Sequence, residues 1–237
     1  MIEVRDFAVL YNRSRSLTRR IEYPALKCLN LDLYAGESLG IVGRNGVGKT
    51  TLLRLLAEII DPERGTVRNY GASTAMLSMQ LGFDQAATGR TNIMLSALLL
   101  GYTEREIRAR MDEIIAYAEL GEFIDQPLTR YSAGMRARLG FSICYYMQPD
   151  VLLIDEALGV GDIEFRKKST QAMKEKIQSD QTVVLVSHDG RTIKSLCNRA
   201  IWIEEGVSRM EGDAAEVVEA YEDFVKSNPR TVATISA

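Results

Sequence analysis

Cysteine is scarce in this chain of 237 residues: three occur, at positions 28, 144 and 197, far apart and with no C-x-x-C pair. That spacing excludes a disulfide framework and a thiolate zinc site, and each of Cys28, Cys144 and Cys197 is expected to be a small core hydrophobe. An excess of positive charge is missing too. The formal net charge of -3 argues against the broad basic footprint that phosphate-backbone binding needs, so no nucleic-acid partner is expected. Long apolar runs are also absent. The longest, such as Ile93 to Leu100, fall far short of the ~20 residues that cross a bilayer. The opening Met1-Ile2-Glu3-Val4-Arg5-Asp6 has no basic stretch followed by an apolar segment, so no signal peptide is expected. No repeat or low-complexity block appears. The expectation is a soluble or peripheral protein, with any membrane spans supplied by another chain.

What is present is an alternation of strand and helix patterns. Ile2-Glu3-Val4-Arg5 and Leu29-Asn30-Leu31-Asp32-Leu33 alternate at period two, and Ser38-Leu39-Gly40-Ile41-Val42 reads as a buried strand running into glycines. From Lys49 the residues Leu52, Leu53, Leu56, Ile59 and Ile60 recur at helical spacing until Asp61-Pro62. Thr103 with Glu106 predicts a capping box for a helix to Leu120, and Ser132 predicts the cap of another that runs to about Met147. Val151-Leu152-Leu153-Ile154 and Thr182-Val183-Val184-Leu185-Val186 lack alternation, as strands covered on both faces do. A helix is expected near 164–178, a hairpin turning at Glu205-Gly206, and a last helix capped by Asp213. The expectation is an α/β core over 1–82 and 149–226 that carries a helical insertion over about 83–148, ending in a flexible tail, 227–237.

Gly43-Arg44-Asn45-Gly46-Val47-Gly48-Lys49-Thr50, followed by Thr51, matches G-x-x-x-x-G-K-[ST] in full, between an apolar strand and an amphipathic helix. Glycines let the backbone curl so that N–H groups point at phosphates, and the helix N-terminus adds its positive end. Lys49 can reach the β- and γ-phosphates of ATP, and Thr50 can offer its hydroxyl to Mg²⁺. About a hundred residues on, an apolar strand ends in Asp155-Glu156, at the sheet edge where open α/β folds bind ligands. Asp155 suits a Mg²⁺-holding carboxylate, and Glu156 a general base that polarises the attacking water. Ser132 is a natural N-cap, and the exposed N–H groups after it suit a phosphate.

Tyr131-Ser132-Ala133-Gly134-Met135-Arg136-Ala137-Arg138-Leu139 resembles the LSGGQ signature of the ABC (ATP-binding cassette) ATPases. Ser132 and Gly134 hold the matching positions, while Ala133 and Met135 replace a glycine and a glutamine. The resemblance covers nearly the whole chain and implies the ABC-type P-loop NTPase fold, with an antiparallel β subdomain and an inserted helical subdomain. It implies a homodimer that sandwiches two ATP molecules, each signature facing the γ-phosphate bound by the opposite subunit. Val186-Ser187-His188 matches the switch histidine, and Gly161-Asp162 resembles the D-loop that crosses the dimer interface. Gln80, with Gln85 as alternative, matches the Q-loop glutamine that contacts Mg²⁺, and Tyr11, with Tyr23 as alternative, the aromatic platform for adenine.

Asp155-Glu156-Ala157-Leu158-Gly159-Val160-Gly161-Asp162 and Thr88-Gly89-Arg90-Thr91-Asn92-Ile93 narrow the resemblance to the exporters of capsule, O-antigen and teichoic-acid polymers. This implies an ATPase at the cytoplasmic face of the cell (inner) membrane, bound to two copies of a separate permease that handles the lipid-linked glycan. The sparse cysteines suit that reducing side. Some members carry a further carbohydrate-binding domain, for which this chain is too short. A drug or lipid exporter, and a soluble ABC ATPase outside transport, remain the alternatives.

Overall fold

The structure, a computed structural model, describes residues 1–16, 19–77, 82–156 and 158–228, with side chains described outside 10–25. Nine strands occur among the described residues, in the order β4-β1-β2-β9-β8-β3-β7-β6-β5. Strands β1 (Ile2–Ser16), β2 (Arg19–Leu33) and β4 (Arg64–Asn69) form an antiparallel piece, with Ile2 opposite Leu33 and Val4 opposite Val67. It joins the rest of the sheet through a single parallel bridge, Cys28 to Val207.

The second piece is mostly parallel. Strands β3 (Ser38–Val42), β5 (Thr74–Met76), β6 (Val151–Asp155), β7 (Thr182–Val186) and β8 (Arg199–Glu204) run in one direction, so their carboxyl ends share one edge. Strand β9 (Val207–Asp213) returns antiparallel through Glu205 and Gly206. Both take positive φ, 52° and 82°, the backbone of a two-residue type I′ hairpin.

The unalternating strands are buried on both faces, as their composition requires. Val151, Leu153, Val184 and Val186 pack on one face against α1 (Lys49–Leu56). Leu152, Ile154, Val183 and Leu185 pack on the other, against α5 (Ile163–Ile177), α6 (Gly190–Leu196) and α7 (Ala214–Ser227). Between β5 and β6 lie α2 (Gly89–Leu99), α3 (Glu104–Ala118), two short 3-10 turns and α4 (Ala133–Met147), around a core of their own built on Ile93, Ile107, Ile114, Leu128 and Leu139.

Local capping agrees with the expectations. Thr103 and Glu106 make the reciprocal box, Ser132 accepts from the Met135 N–H at 3.1 Å, and Asp213 accepts from Ala215 N–H at 2.8 Å. Two features differ. The helix from Lys49 stops at Leu56 rather than Ile60, because Glu58 takes a left-handed φ of 55°. The Ile59 N–H then closes back on the Arg54 carbonyl and the Glu58 N–H on Leu55, a Schellman end made without glycine. Cys28 is exposed on β2, its thiol 3.6 Å from Asp6 Oδ1, so it is no core hydrophobe; Cys144 and Cys197 are buried. Burial pushes their thiols up to about 11 and about 12, which keeps both inert.

Candidate functional site

The shared carboxyl edge of β3, β6, β7 and β8 carries the candidate residues. Leaving β3, the chain enters the loop at Gly43, whose φ of 152° brings its Cα against β8: an added Cβ would lie 2.3 Å from the Ile203 carbonyl. Only glycine fits there. Gly46 and Gly48 take φ of 79° and 106°, and Gly48 caps α1 without a side chain. The first N–H groups of α1 thereby remain free of a side-chain cap, at the positive end of a helix. Arg44 is half-buried, Asn45 and Gly46 are exposed, and Val47 and Thr51 are buried.

Lys49 is 6% exposed. Its ammonium donates to the carbonyls of Gly43, at 2.8 Å, and Arg44, at 3.0 Å. Burial pulls its pKa below the usual lysine value, against the opposing pull of Glu156, Asp155 and Glu204. The amine is thus a desolvated cation held by two loop carbonyls in the field of three carboxylates, a state that suits exchange of those carbonyls for an anion. Glu204, buried at the end of β8 and reached by the Trp202 indole at 3.4 Å, is a member of this group that no sequence pattern marked.

Thr50 Oγ1 donates to Asp155 Oδ2 at 3.0 Å. The other oxygen, Asp155 Oδ1, is buried and has no hydrogen-bond partner. A buried carboxylate oxygen without a donor is costly. Beside a threonine hydroxyl at the start of α1, this donor set fits a hard, oxygen-seeking cation such as Mg²⁺. Glu156 follows with φ of 65°, its N–H bound to the Val186 carbonyl at 2.9 Å. His188 Nε2 lies 2.5 Å from Glu156 Oε1, and both side chains are about half exposed. Lys49, Thr50, Asp155, Glu156 and His188 are therefore brought together.

Other candidates stand apart. No hydrogen bond or ion pair among the described residues joins Ser132, Gly134 or Asp162 to the loop 43–50. Ser132 is exposed at the start of α4. Asp162 caps α5 through the Phe165 N–H at 3.0 Å and accepts from Arg138 at 3.2 Å. Arg138 also donates to the carbonyls of Ala118 and Glu119, tying α4 to the end of α3 and the start of α5. Tyr11 and Tyr23 occupy opposed positions in the β1–β2 ladder, where side chains lie outside the description. Gln80 lies outside the described residues, and Gln85 is exposed, its carbonyl accepting from the Thr129 N–H at 3.0 Å.

With this geometry in place, comparison with known proteins decides the family. The ABC transporter family model matches residues 26–159. The chain belongs to the ABC transporter family. Consistent with that, it is 39% identical over 218 residues to the O-antigen export system ATP-binding protein RfbB of Klebsiella pneumoniae, covering 92% of this chain and 89% of that one. It is 44% identical over 201 residues to the protein of the same description in Myxococcus xanthus, covering 85% of this chain but only 46% of that one. The chain thus spans about half the length of that relative. Among solved structures, an ATP-binding cassette in a dimeric post-hydrolysis state with ADP and phosphate matches with a TM-score of 0.71 at 22% identity, over 90% of this chain and 99% of that one. That likeness shows the fold. This ABC cassette is a nucleotide-binding ATPase.

Proposed function

We propose that this ABC ATPase is the motor of an exporter that carries a lipid-linked polysaccharide across the cytoplasmic membrane. The observation that carries the cargo class is the 39% identity, over almost the full length of both chains, to an ATP-binding protein of O-antigen export. Two copies work together with two copies of a permease, and the chain sits at the cytoplasmic face of the membrane. No described helix is long and apolar enough to cross a bilayer, and in this reading the permease supplies the spans. The core over 1–82 and 149–226 supplies the nucleotide edge, and the insertion over about 83–148 carries Ser132 and faces the partner.

In this reading the N–H groups of the Gly43–Thr50 loop and the start of α1 cradle the phosphates of ATP. Lys49 exchanges its two carbonyl partners for phosphate oxygens. Thr50 and Asp155 would hold Mg²⁺, which when bound would neutralise charge on the β- and γ-phosphates. Glu156 orients the attacking water and accepts its proton as general base. His188, hydrogen-bonded through Nε2 to Glu156 in this structure, turns that one N–H donor to the γ-phosphate when ATP is bound. Ser132 and Gly134 of one subunit meet the γ-phosphate bound by the other, and Asp162 lies at the subunit boundary. Catalysis is then positioning plus electrostatics, as phosphoryl transfer to water requires.

Two variants test the assignment. Lys49→Ala abolishes tight ATP binding in titration calorimetry, whereas Glu156→Gln binds ATP normally and hydrolyses it at least about a hundred-fold more slowly. Wild-type affinity in the first, or wild-type turnover in the second, would remove that residue from its role.

A further inference from the structure

The last helix reaches back to the phosphate loop. The guanidinium of Arg44, second residue of that loop, lies 5.3 Å from the centre of the Phe224 ring on α7. It also donates to the backbone carbonyl of Asn228 at the end of the same helix. Phe224 carries a second cation, Arg209 of β9, at 4.2 Å, and packs 5.0 Å from Trp202 of β8. Neither Arg44 nor Arg209 forms an ion pair with a carboxylate among the described residues. Their partners are an aromatic face, which attracts cations, and, for Arg44, a helix C-terminus, which bears partial negative charge.

Arg44 is also joined to Lys49, because its backbone carbonyl is one of the two that hold the ammonium. One residue is therefore fastened by its side chain to α7 and by its main chain to the phosphate-binding lysine. The loop between needs such an anchor. Gly43, Gly46 and Gly48 have positive φ and no side chains, so the backbone there is costly to order.

We propose that α7 is a positioning element for nucleotide binding: Phe224 and the carbonyl end of the helix hold Arg44, and through it set the loop that presents Lys49 to ATP. The inference rests on the reading that Lys49 meets the phosphates. Phe224 acts through Arg44, and its contribution is pre-ordering of the loop.

The test is a double-mutant cycle read by ATP titration and steady-state hydrolysis on the purified chain. Phe224→Leu keeps apolar bulk and removes the aromatic face. It is expected to raise the ATP Kd and KM about two- to five-fold, the loss of one half-exposed cation–π contact, while kcat and the nucleotide-free melting temperature hold. In an Arg44→Ala background the same change is expected to add no further loss. An equal loss in both backgrounds, an unchanged Kd, or a fall in kcat at constant KM would overturn the proposal. If Phe224→Leu lowers the melting temperature, Phe224→Met, equally bulky but unbranched and more adaptable, is scored by the same criteria. Lys49→Ala serves as the control for the underlying reading: loss of binding there with a silent Phe224→Leu rejects the α7 role alone, and silence in both rejects the reading as well.

Discussion

At the scale of single residues, two half-buried groups state opposite solutions to the cost of desolvation. Asp155 keeps one oxygen on Thr50 and leaves the other buried without a donor, a cost that a bound cation would offset. Lys176 has no such ligand. Its ammonium donates to the Tyr145 carbonyl at 2.6 Å and lies 4.7 Å from the centre of that residue's ring. Burial lowers its pKa from 10.5 to about 8, with Cys144 opposing the shift and Arg110 adding to it. Between those values the unfolded chain holds a proton on this lysine that the folded chain has released. Stability from this group therefore rises with pH from about 8 to 10.5 and is flat below. In urea unfolding, wild type is expected to gain on Lys176→Met as pH is raised across that window; a pH-independent gap between the two would contradict the shift.

At the scale of elements, what could be read from the sequence was what lies in contiguous residues. The phosphate loop, the strand ending in Asp155-Glu156, and the caps at Thr103, Ser132 and Asp213 are each written within a few positions, and the structure shows each of those elements. The end of α1 was not legible, because a glutamate at position 58 adopts the left-handed conformation that sequence reasoning assigns to glycine. The exposure of Cys28 was not legible either, since Cys28 lies at an irregularity of the β1–β2 register, between Leu26 opposite Val9 and Leu29 opposite Phe7, both buried. Glu204 under the loop, and Phe224 against Arg44, come from elements far along the chain, and only the sheet order places them there. The capping box of α3 offers a quantitative check. Both of its bonds are present, the Thr103 N–H to Glu106 at 2.8 Å and the Glu106 N–H to Thr103 at 3.4 Å. Thr103→Ala is expected to cost about 1 kcal/mol in urea denaturation with ATP affinity unchanged. No shift in the unfolding midpoint would show that the box contributes nothing to α3.

At the scale of the whole molecule, the cassette is incomplete as a catalyst in the proposed cycle. Lys49, Thr50, Asp155, Glu156 and His188 converge on one edge, while among the described residues no hydrogen bond or ion pair joins Ser132, Gly134 or Asp162 to the loop. Two such chains, arranged head to tail, would bring each set to the other. In that cycle hydrolysis and reopening would move the permease, and the α7 contact with Arg44 ties the phosphate loop to a distant element of the same chain. The central claim is that this motion exports a polymer on its lipid. The measurement that tests it most directly is surface glycan together with intracellular lipid-linked glycan, in cells whose only copy of the protein is Glu156→Gln. The account predicts that polymer disappears from the surface and accumulates inside on its carrier lipid. Unchanged surface and internal glycan would contradict polysaccharide export and would direct attention to a drug or lipid as the cargo.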